Sequence, residues 1–284
     1  MQQPRSPSTP GTPGTPGTPM AFVAVLDEAG YERLTREVRL LLGIDLALYR
    51  PAQVWRRVLG FATARGFAGA PELLAGARAD GVLRRAFMDM LTINVSEFFR
   101  NAPAFETLAR DFLGPMLRNQ PLTRVWSAGC SAGYEPYSIA ILAREALATA
   151  RIQIHATDLD ETILATARAG RYSTAQMLGV SAARRARFFS PTADGFEVRP
   201  ELKTLVTFAR HDLLRDPTRT SLDVVACRNV VIYFTDEAKI KLYQGFAAAL
   251  RPGGILFIGA TESIADPRSF GLVPVAPGFY QRPG

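Results

Sequence analysis

The chain has 284 residues, of which 48% are hydrophobic and 21% are charged, and these values are ordinary for a globular protein. The net charge is +7, and two cysteines with two histidines are too few for a disulfide framework or a zinc site. No apolar stretch approaches the roughly 20 residues of a membrane span and no signal-peptide pattern is present, so we expect a cytoplasmic protein.

The first residues have the composition of a disordered segment. Three consecutive Gly-Thr-Pro repeats run from Gly11 to Pro19 and offer almost no apolar side chain for burial. We therefore expect residues 1–19 to form a disordered tail. Met20 directly follows this tail and is a second candidate start.

Residues 20–91 predict a small helical domain. Tyr31, Leu34, Val38 and Leu41 recur at helical spacing, and Gly43 marks the end of this first helix. Three further helices are predicted, over Ala52–Arg65, Pro71–Ala79 and Leu83–Ile93. Residues 92–121 then form a linker to the rest of the chain.

Between residues 122 and 284, short apolar strands alternate with helices. The predicted strands are Arg124–Ser127, Ile152–Thr157, Leu205–Ala209, Asp223–Ala226, Ile255–Gly259 and Gly278–Gln281. The predicted helices are Pro136–Ala148, Glu161–Ala169 and Asp236–Leu250. This alternation is typical of an α/β fold with a doubly wound parallel sheet, and the short last strand suits an antiparallel place at one edge. Residues 171–204 interrupt the pattern with aromatic and β-prone segments, which predicts a small inserted β-subdomain.

A glycine loop follows the first strand. Gly129 and Gly133 stand four residues apart just before a helix, so the backbone is open to a ligand at the carboxyl end of the strand. The same residues match Gly-x-Ser-x-Gly, the nucleophile elbow of hydrolases, with Ser131, Asp158 and His211 in the hydrolase order. We favour a cofactor loop, because His211 precedes the last strands whereas a hydrolase histidine follows them. The loop also lacks the Gly-x-Gly-x-x-Gly of dinucleotide oxidoreductases.

Polar residues follow the next strands. Asp158 ends the second strand, where a carboxylate can accept both hydroxyls of a ribose, whereas Asp160 is better explained as a helix cap. HDLL (211–214) follows the third strand, CRNVVIYF (227–234) closes the fourth, and LRPGGIL (250–256) leads into the fifth. A helix, a Pro-Gly-Gly turn and an apolar strand are common in small-molecule methyltransferases.

Together these motifs resemble the chemotaxis receptor glutamate O-methyltransferase family, CheR. The resemblance covers nearly the whole chain from about residue 26. Its most specific stretches are NVSEFFR (94–100), WSAGCSAGYEPYSIAI (126–141), ATDLD (156–160), CRNVVIYF (227–234) and LRPGGILFIGATES (250–263). The family implies a Rossmann-like, class I methyltransferase domain at 122–284, an N-terminal all-helical domain and an inserted antiparallel β-subdomain. It also implies S-adenosylmethionine as cofactor and S-adenosylhomocysteine as product.

The resemblance carries functional roles over to matching positions. Cofactor contacts are implied for Asn94, Ser96, Arg100, Gly129, Glu135, Asp158, Asp212, Leu213, Asn229 and Val230. Among these, Glu135 is expected to hold the amino end, Asp158 the ribose, and Asp212 the adenine side. Asn229 and Val230 are expected to contact the methionine portion. Arg100 and Tyr233 are the catalytic candidates, and no metal is implied.

The sequence departs from the family pattern at several positions. Ser96 stands where Thr is common, Tyr134 where Glu is common, and Asp212 where Asn is frequent. The turn at Thr192–Gly195 is short, whereas relatives that grip a tethering peptide at the receptor C-terminus tend to have a longer loop. We therefore expect this protein to work without such a peptide.

The resemblance implies methylation of glutamate side chains in the cytoplasmic helical region of chemoreceptors. A glutamate with a pKa of about 4.3 is already ionised at neutral pH, and the motifs offer no obvious base, so placement of the acceptor and exclusion of water would be the main tasks. A cofactor-binding sensor or scaffold without transfer activity is one alternative, and another protein target in a chemosensory-like pathway is a second. We expect a monomer that is not inserted in the membrane, and the scattered arginines argue against a nucleic-acid partner.

Overall fold

The computed structural model describes residues 27–92 and 96–284. The expected disordered tail, Met20 and the candidate cofactor residue Asn94 lie outside the described residues. Within the described ranges, none of the helices combines the length and apolarity that a membrane crossing requires.

The N-terminal part consists of helices that pack around their own core. The helices are α1 (Glu28–Leu42), α2 (Pro51–Ala64), α3 (Ala70–Ala79) and α4 (Gly81–Thr92). Leu34, Val38, Val58 and Phe87 are fully buried in this core, as the apolar stripes of the sequence predict. Gly43 ends α1 at φ +74°, a left-handed conformation that glycine adopts without strain.

A seven-stranded sheet forms the second part. Its strands are β1 (Thr123–Ala128), β2 (Ile152–Asp158), β6 (Val206–Arg210), β7 (Leu222–Cys227), β8 (Leu250–Ile258), β9 (Val273–Ala276) and β10 (Phe279–Gln281). They lie in the order β6-β2-β1-β7-β8-β10-β9. The first five in spatial order are parallel, β10 is antiparallel to β8, and β9 is antiparallel to β10. The predicted doubly wound α/β fold is therefore confirmed.

Helices cover both faces of this sheet. They are α5 (Ala102–Thr107), α6 (Gly114–Asn119), α7 (Tyr134–Ala146), α8 (Glu161–Ala169) and α11 (Asp236–Ala249), with a π-helical stretch, Leu108–Leu113, joining α5 to α6. The core on one side of the sheet includes Ile139 and Leu108, and the core on the other side includes Phe246 and Trp126. Burial on both faces explains why successive residues of β1 from Val125 onward, and all residues of β7, are buried rather than every second one.

A separate three-stranded antiparallel sheet lies between α8 and β6. It contains β3 (Arg171–Ser173), β4 (Phe189–Thr192) and β5 (Gly195–Val198) in the order β3-β5-β4, with the short helices α9 (Ala182–Phe188) and α10 (Pro200–Lys203). This is the small antiparallel sheet that the aromatic and β-prone segments predicted.

The last strands differ in detail from the expectation. β10 is antiparallel as expected, but β9, which was not predicted, lies outside it and forms the edge of the sheet. Pro274 interrupts the apolar pattern of β9 and masks it in the sequence. β8 also begins at Leu250, five residues before the predicted start at Ile255, and its pairing with β7 shifts register near Leu222.

Candidate functional site

One cavity of about 1040 Å³, counted to its open mouth, lies at the carboxyl end of the parallel strands. Every predicted site residue within the described ranges lines it: Ser96, Arg100, Gly129, Glu135, Asp158, Asp212, Leu213, Asn229, Val230 and Tyr233. The loops after four strands and the linker therefore converge on one space, although they are far apart in the sequence.

The glycine loop between β1 and α7 approaches the loop after β7 closely. Gly129 has φ +80°, and a Cβ atom there would lie 2.6 Å from a methyl carbon of Val230. A side chain at position 129 would therefore displace Val230 from the cavity wall. Ser131 has φ +48°, and this conformation directs its backbone N–H to Asp158 Oδ2 at 2.8 Å.

Asp158 ends β2 with its carboxylate at the cavity. Oδ2 accepts the Ser131 N–H, and Oδ1 accepts the Asp160 N–H at 3.1 Å. Burial raises the pKa of Asp158, and these two backbone hydrogen bonds oppose the rise. Each oxygen retains a lone pair, so the carboxylate can still accept a pair of ligand hydroxyls. Asp160 caps α8 by accepting the Thr162 and Ile163 N–H groups, as predicted.

The geometry does not form the hydrolase arrangement. The Asp158 carboxylate accepts backbone N–H groups of Ser131 and Asp160, whereas His211 has its Nδ1 atom 3.8 Å from Asp216. A catalytic triad needs the carboxylate to orient the histidine next to the serine. The site therefore supports a cofactor loop rather than a nucleophile elbow.

Glu135 is a buried carboxylate in the first turn of α7. Its Oε1 accepts the Ser127 hydroxyl at 2.8 Å, and its Oε2 lies 3.6 Å from Arg228 Nη1. Burial raises the pKa of Glu135, whereas the Arg228 charge and the Ser127 hydrogen bond lower it. A cationic ligand group would further favour the ionised form.

Arg228 connects Glu135 to the linker, and the sequence analysis assigned it no role. Its guanidinium lies 4.9 Å from the ring centre of Phe105 and 4.6 Å from that of Phe257. Its Nη2 donates to the Arg100 carbonyl at 2.5 Å. These contacts hold the backbone of the linker at the cavity. The position of Arg228 inside CRNVVIYF was the signal that could have identified it.

The linker residues before Arg100 are anchored by aromatic packing. The Phe98 ring lies 5.0 Å from that of Tyr134 and 4.8 Å from that of Tyr172. The Phe99 backbone N–H donates to Ser138 Oγ at 3.0 Å. Tyr134, which stands where the family commonly has Glu, is therefore a packing residue that supports the linker.

The loop after β7 is held by Glu262, a buried residue that the sequence analysis did not single out. Its carboxylate accepts the backbone N–H groups of Asn229 (2.9 Å), Val231 (3.1 Å) and Gly259 (2.6 Å). Asn229 has φ +59°, a left-handed conformation that is unusual outside glycine. The Glu262 contacts compensate this strain and present Asn229 and Val230 to the cavity.

Tyr233 follows in a single 3-10 turn, Val231–Tyr233, and lines the cavity. Burial raises the pKa of its phenol, while the charges of Arg57 and Arg100 lower it. The phenol therefore remains protonated at neutral pH, and the positive charges of two guanidinium groups are close enough to affect it. The part of the cavity beside Tyr233 therefore experiences the positive charges of Arg57 and Arg100, whereas the carboxylates Asp158 and Glu135 line other parts of it.

The loop after β6 also lines the cavity, through residues 211–214. Asp212 uses Oδ1 to accept the Leu214 N–H at 2.9 Å, so part of its carboxylate serves the turn itself. His211 lines the cavity, and its buried Nε2 has no hydrogen-bond partner among the described residues. An unsatisfied buried nitrogen is costly unless a ligand or water completes it.

These features fit a nucleoside that carries a cationic amino-acid portion. Asp158 offers acceptors for ribose hydroxyls, Glu135 offers a negative charge for an amino group, and the bare backbone at Gly129 gives room for close approach. The open nitrogen of His211 lies on the wall expected to face the base. S-adenosylmethionine has these three parts.

The chain is similar to several known proteins. Residues 94–278 match the family model described as CheR methyltransferase, SAM binding domain. A chemotaxis protein methyltransferase from Listeria monocytogenes is 40% identical over 254 residues, which is 89% of this chain and 97% of the relative. Chemotaxis protein methyltransferase 1 from Pseudomonas aeruginosa is 36% identical over 215 residues, or 71% and 78% of the two chains. A solved SAM-dependent methyltransferase from Geobacter sulfurreducens in complex with S-adenosyl-L-homocysteine is 23% identical, with a TM-score of 0.32 over 55% of this chain and 47% of that one.

Proposed function

Since the chain belongs to the CheR methyltransferase family, we propose that it methylates glutamate side chains of chemoreceptors and yields glutamate methyl esters. The protein is a chemotaxis methyltransferase of the class I fold, and S-adenosylmethionine is its cofactor. The identity of the acceptor is what we propose.

The observation that supports a carboxylate acceptor is the distribution of charge in the cavity. Asp158 and Glu135 lie on loops expected to bind the cofactor, whereas Arg57 and Arg100 act on Tyr233. A cationic end is suited to an anionic acceptor, because guanidinium groups pair with carboxylates through two parallel N–H groups.

The mechanism that we propose depends on placement rather than on acid–base chemistry. When bound, the cofactor supplies an electrophilic methyl on a sulfonium, which becomes a neutral thioether once a carboxylate oxygen has taken the methyl. Arg100 would orient the incoming carboxylate, and Tyr233 would place its phenol beside the reacting atoms. The protein contributes mainly alignment and exclusion of water, which can supply several kcal/mol. No base is required, because the acceptor is ionised at neutral pH.

The roles of the remaining site residues follow the same proposal. Ser96, and Asn94 outside the described residues, would close over the cofactor from the linker. Glu135 would hold the amino group, Asp158 the ribose, and Asp212 with Leu213 the base. Asn229, Val230 and Gly129 would contact the methionine portion. The common position of the described residues of this set around one cavity supports these assignments.

The proposed partner is the cytoplasmic helical region of a chemoreceptor, which a monomeric enzyme in the cytoplasm would reach. We further propose that no receptor-borne tethering peptide is needed. The turn between β4 and β5 contains two residues, Ala193 and Asp194. Gly195 fits so tightly that a Cβ atom there would lie 2.2 Å from the Tyr172 carbonyl oxygen. A compact turn of this kind offers little surface to a peptide.

One experiment tests the acceptor directly. The purified protein is incubated with radiolabelled S-adenosylmethionine and a receptor cytoplasmic fragment, and the labelled product is treated with mild alkali. Label released as methanol is expected, because a glutamate methyl ester hydrolyses under these conditions. Alkali-stable label would overturn the glutamate assignment in favour of an amine or guanidine acceptor. Binding of the cofactor without any transfer would support the sensor or scaffold alternative.

A further inference from the structure

The segment that connects α1 to α2 pairs with the loop that carries Tyr233. The Arg50 backbone N–H donates to the Tyr233 carbonyl at 3.0 Å, and the Thr235 N–H donates to the Leu48 carbonyl at 3.0 Å. Tyr49 and Phe234 lie opposite each other in an antiparallel bridge between these two bonds. Their rings meet edge to face at 5.0 Å. We call residues 48–50 the connector.

We propose that the connector is a positioning element for Tyr233, supplied by the N-terminal helices to the methyltransferase site. The inference rests on the proposed function, because it assigns a task to the main chain around a residue that the function places beside the acceptor. Arg50 and Thr235 act through Tyr233 and are positioning residues rather than catalytic ones.

The loop that carries Tyr233 is fixed upstream and downstream of this residue. Upstream, Glu262 accepts the N–H groups of Asn229 and Val231 and fixes the start of the loop to the end of β8. Downstream, the loop turns into α11, whose first residue is Asp236. Tyr233 lies between these points in one 3-10 turn, and a single short turn is a weak constraint by itself. The connector supplies two hydrogen bonds at this position.

The connector also shares the cavity with the loop that it holds. Tyr49, Tyr233 and Phe234 all line the cavity, and Tyr49 is the residue of the connector that reaches it. The paired rings of Tyr49 and Phe234 fix the separation of the two backbones, because the edge-to-face arrangement is a favoured geometry for aromatic pairs. A shift of the connector would therefore move the Tyr233 carbonyl, and with it the phenol.

The position of α2 gives this pairing a mechanical consequence. Arg50 is the N-cap of α2, which begins at Pro51, and Arg57 on the same helix acts electrostatically on Tyr233. A displacement of α2 would thus be passed to the Tyr233 loop through one peptide unit. The cofactor loops after β1 and β2 receive no hydrogen bond from the connector among those observed in the described part of the chain. We therefore expect the connector to control turnover more than cofactor affinity.

Proline substitution can remove each hydrogen bond while keeping the backbone conformation. Arg50 has φ −66°, and Tyr49 before it has ψ 158°, so both suit an X-Pro pair. Thr235 has φ −62°, and Phe234 before it has ψ 157°, so the same holds on the other strand of the bridge. Arg50→Pro and Thr235→Pro each delete one N–H donor of the pairing.

Alanine variants provide the matched controls. Arg50→Ala removes the side chain, including its 3.5 Å contact with Asp236, and keeps the N–H. Thr235→Ala removes the hydroxyl that caps α11 through the Ala238 N–H and keeps its own backbone N–H. Each proline variant is compared with its alanine partner, so the difference reports on the backbone hydrogen bond. Thermal unfolding and circular dichroism identify any variant that does not fold, and the second pair then carries the test.

Three quantities are measured for each pair: kcat at saturating S-adenosylmethionine and receptor fragment, the Kd of S-adenosylhomocysteine, and hydrogen exchange over residues 231–236. We expect kcat to fall at least about tenfold from alanine to proline while the Kd changes less than about twofold. We also expect faster exchange across residues 231–236 in the proline variants.

Other outcomes overturn the proposal in distinguishable ways. Unchanged exchange in both folded proline variants would show that the connector does not hold the loop. Faster exchange with kcat within about twofold of the alanine partner would show that the position of the loop does not limit turnover. Parallel loss of turnover and of product affinity would indicate a general structural role. Failure of the wild-type protein to form a methyl ester would instead overturn the proposed function.

Discussion

Arg85 on α4 donates to both carboxylate oxygens of Asp160, at 2.7 and 2.5 Å, and so joins the N-terminal helices to the loop after β2. The Asp160 side chain is 1% exposed, whereas that of Arg85 is 31% exposed. Asp160 also donates its own backbone N–H to Asp158 at 3.1 Å. One ion pair therefore connects the helical part of the chain to a carboxylate that lines the cavity.

We expect Arg85→Ala to destabilise the protein by about 2–3 kcal/mol, because it leaves a buried carboxylate without its charge partner. Arg84→Ala on the same helix is the control, since the Arg84 contact to the Arg78 carbonyl is long, at 3.5 Å. We expect this control to cost less than about 0.5 kcal/mol. Urea unfolding at neutral pH measures both values, and equal losses in the two variants would contradict the role of the ion pair.

The ion pair between Arg85 and Asp160 should also make the stability of the protein depend on pH. Burial acts to raise the pKa of Asp160, but the hydrogen bonds and charge of Arg85 prevail and lower it below the ordinary value of 3.8. A lowered pKa stabilises the folded state above the ordinary value, and this contribution is lost as the pH falls through the lowered one. The stability difference between wild type and Arg85→Ala should therefore shrink in strongly acidic solution.

The parts of the molecule that the sequence predicted are those with local signals. Helices α1 to α4, the parallel strands and the doubly wound arrangement follow from apolar periodicity and turn residues, which act over short distances. The convergence of the loops followed from topology, because carboxyl ends of parallel strands meet at one edge. Asp158 was predicted in this way, whereas the role of Asn229 was implied only by the resemblance to the family.

The parts that were missed depend on contacts between distant residues. Tyr49 pairs with Phe234, and Glu262 holds the backbone of Asn229, but a lone tyrosine in a connector or a glutamate after a strand has no local pattern that reveals its partner. Arg228 belongs to the recognised motif CRNVVIYF, but its contacts with the rings of Phe105 and Phe257 could not be predicted from that motif, because the two rings come from distant parts of the chain. Tertiary contacts of this kind are fixed by the fold as a whole.

Binding of the cofactor should depend on pH through Glu135. Burial raises the pKa of this carboxyl above the ordinary 4.5, and the proposed contact with a cationic amino group needs the ionised form. The affinity should be greatest above the raised pKa and should fall as the solution is acidified through it. Calorimetric titration of S-adenosylhomocysteine between about pH 5 and 8 measures this change.

The variants Glu135→Gln and Asp158→Asn distinguish the contributions of these two carboxylates to cofactor affinity. Glu135→Gln should weaken binding about 10–100-fold at neutral pH, since a charge-assisted hydrogen bond is worth about 1.5–3 kcal/mol. It should also make the pH dependence shallower, and adding Asp158→Asn should make it shallower still, because burial raises the pKa of Asp158 as well. An unchanged pH profile in Glu135→Gln would refute the assignment of the amino-group contact.

Glu262→Ala should lower both stability and cofactor affinity. The substitution leaves the N–H groups of Asn229, Val231 and Gly259 without their acceptor, and an unsatisfied buried donor costs about 1–3 kcal/mol. We expect a loss of about 3 kcal/mol or more in unfolding free energy. Glu262→Gln should lie between wild type and alanine, because its amide has one acceptor oxygen and directs N–H groups at the other donors.

Glu237→Ala provides the control for this prediction. Glu237 is an exposed acid in the first turn of α11, so its removal changes the charge of the protein by the same amount without affecting the cavity. Unfolding in urea and the Kd of S-adenosylhomocysteine are compared for the three variants. Wild-type values for Glu262→Gln would show that the loop does not need the carboxylate.

Methylation should be insensitive to the C-terminal peptide of the receptor. A tether raises the local concentration of substrate only if the enzyme can grip it, and the two-residue turn between β4 and β5 presents no extended loop for that purpose. Removing the peptide from the receptor should change KM by less than about twofold. A receptor with a scrambled peptide of equal length is the control, and a large rise in KM for both altered receptors would contradict the expectation.

Arg100→Ala should lower the methyl-transfer rate at least about 100-fold, because orientation of the acceptor can supply several kcal/mol. The backbone contact from Arg228 to the Arg100 carbonyl does not involve the Arg100 side chain, so the linker should keep its place in the variant. The Kd of S-adenosylhomocysteine should therefore change far less than the rate. Arg110→Ala serves as the control, since Arg110 is an exposed linker residue, paired with Asp111, in the π-helical stretch Leu108–Leu113. Single-turnover transfer to a receptor fragment gives the rate, and near-normal turnover in Arg100→Ala would remove Arg100 from the catalytic site.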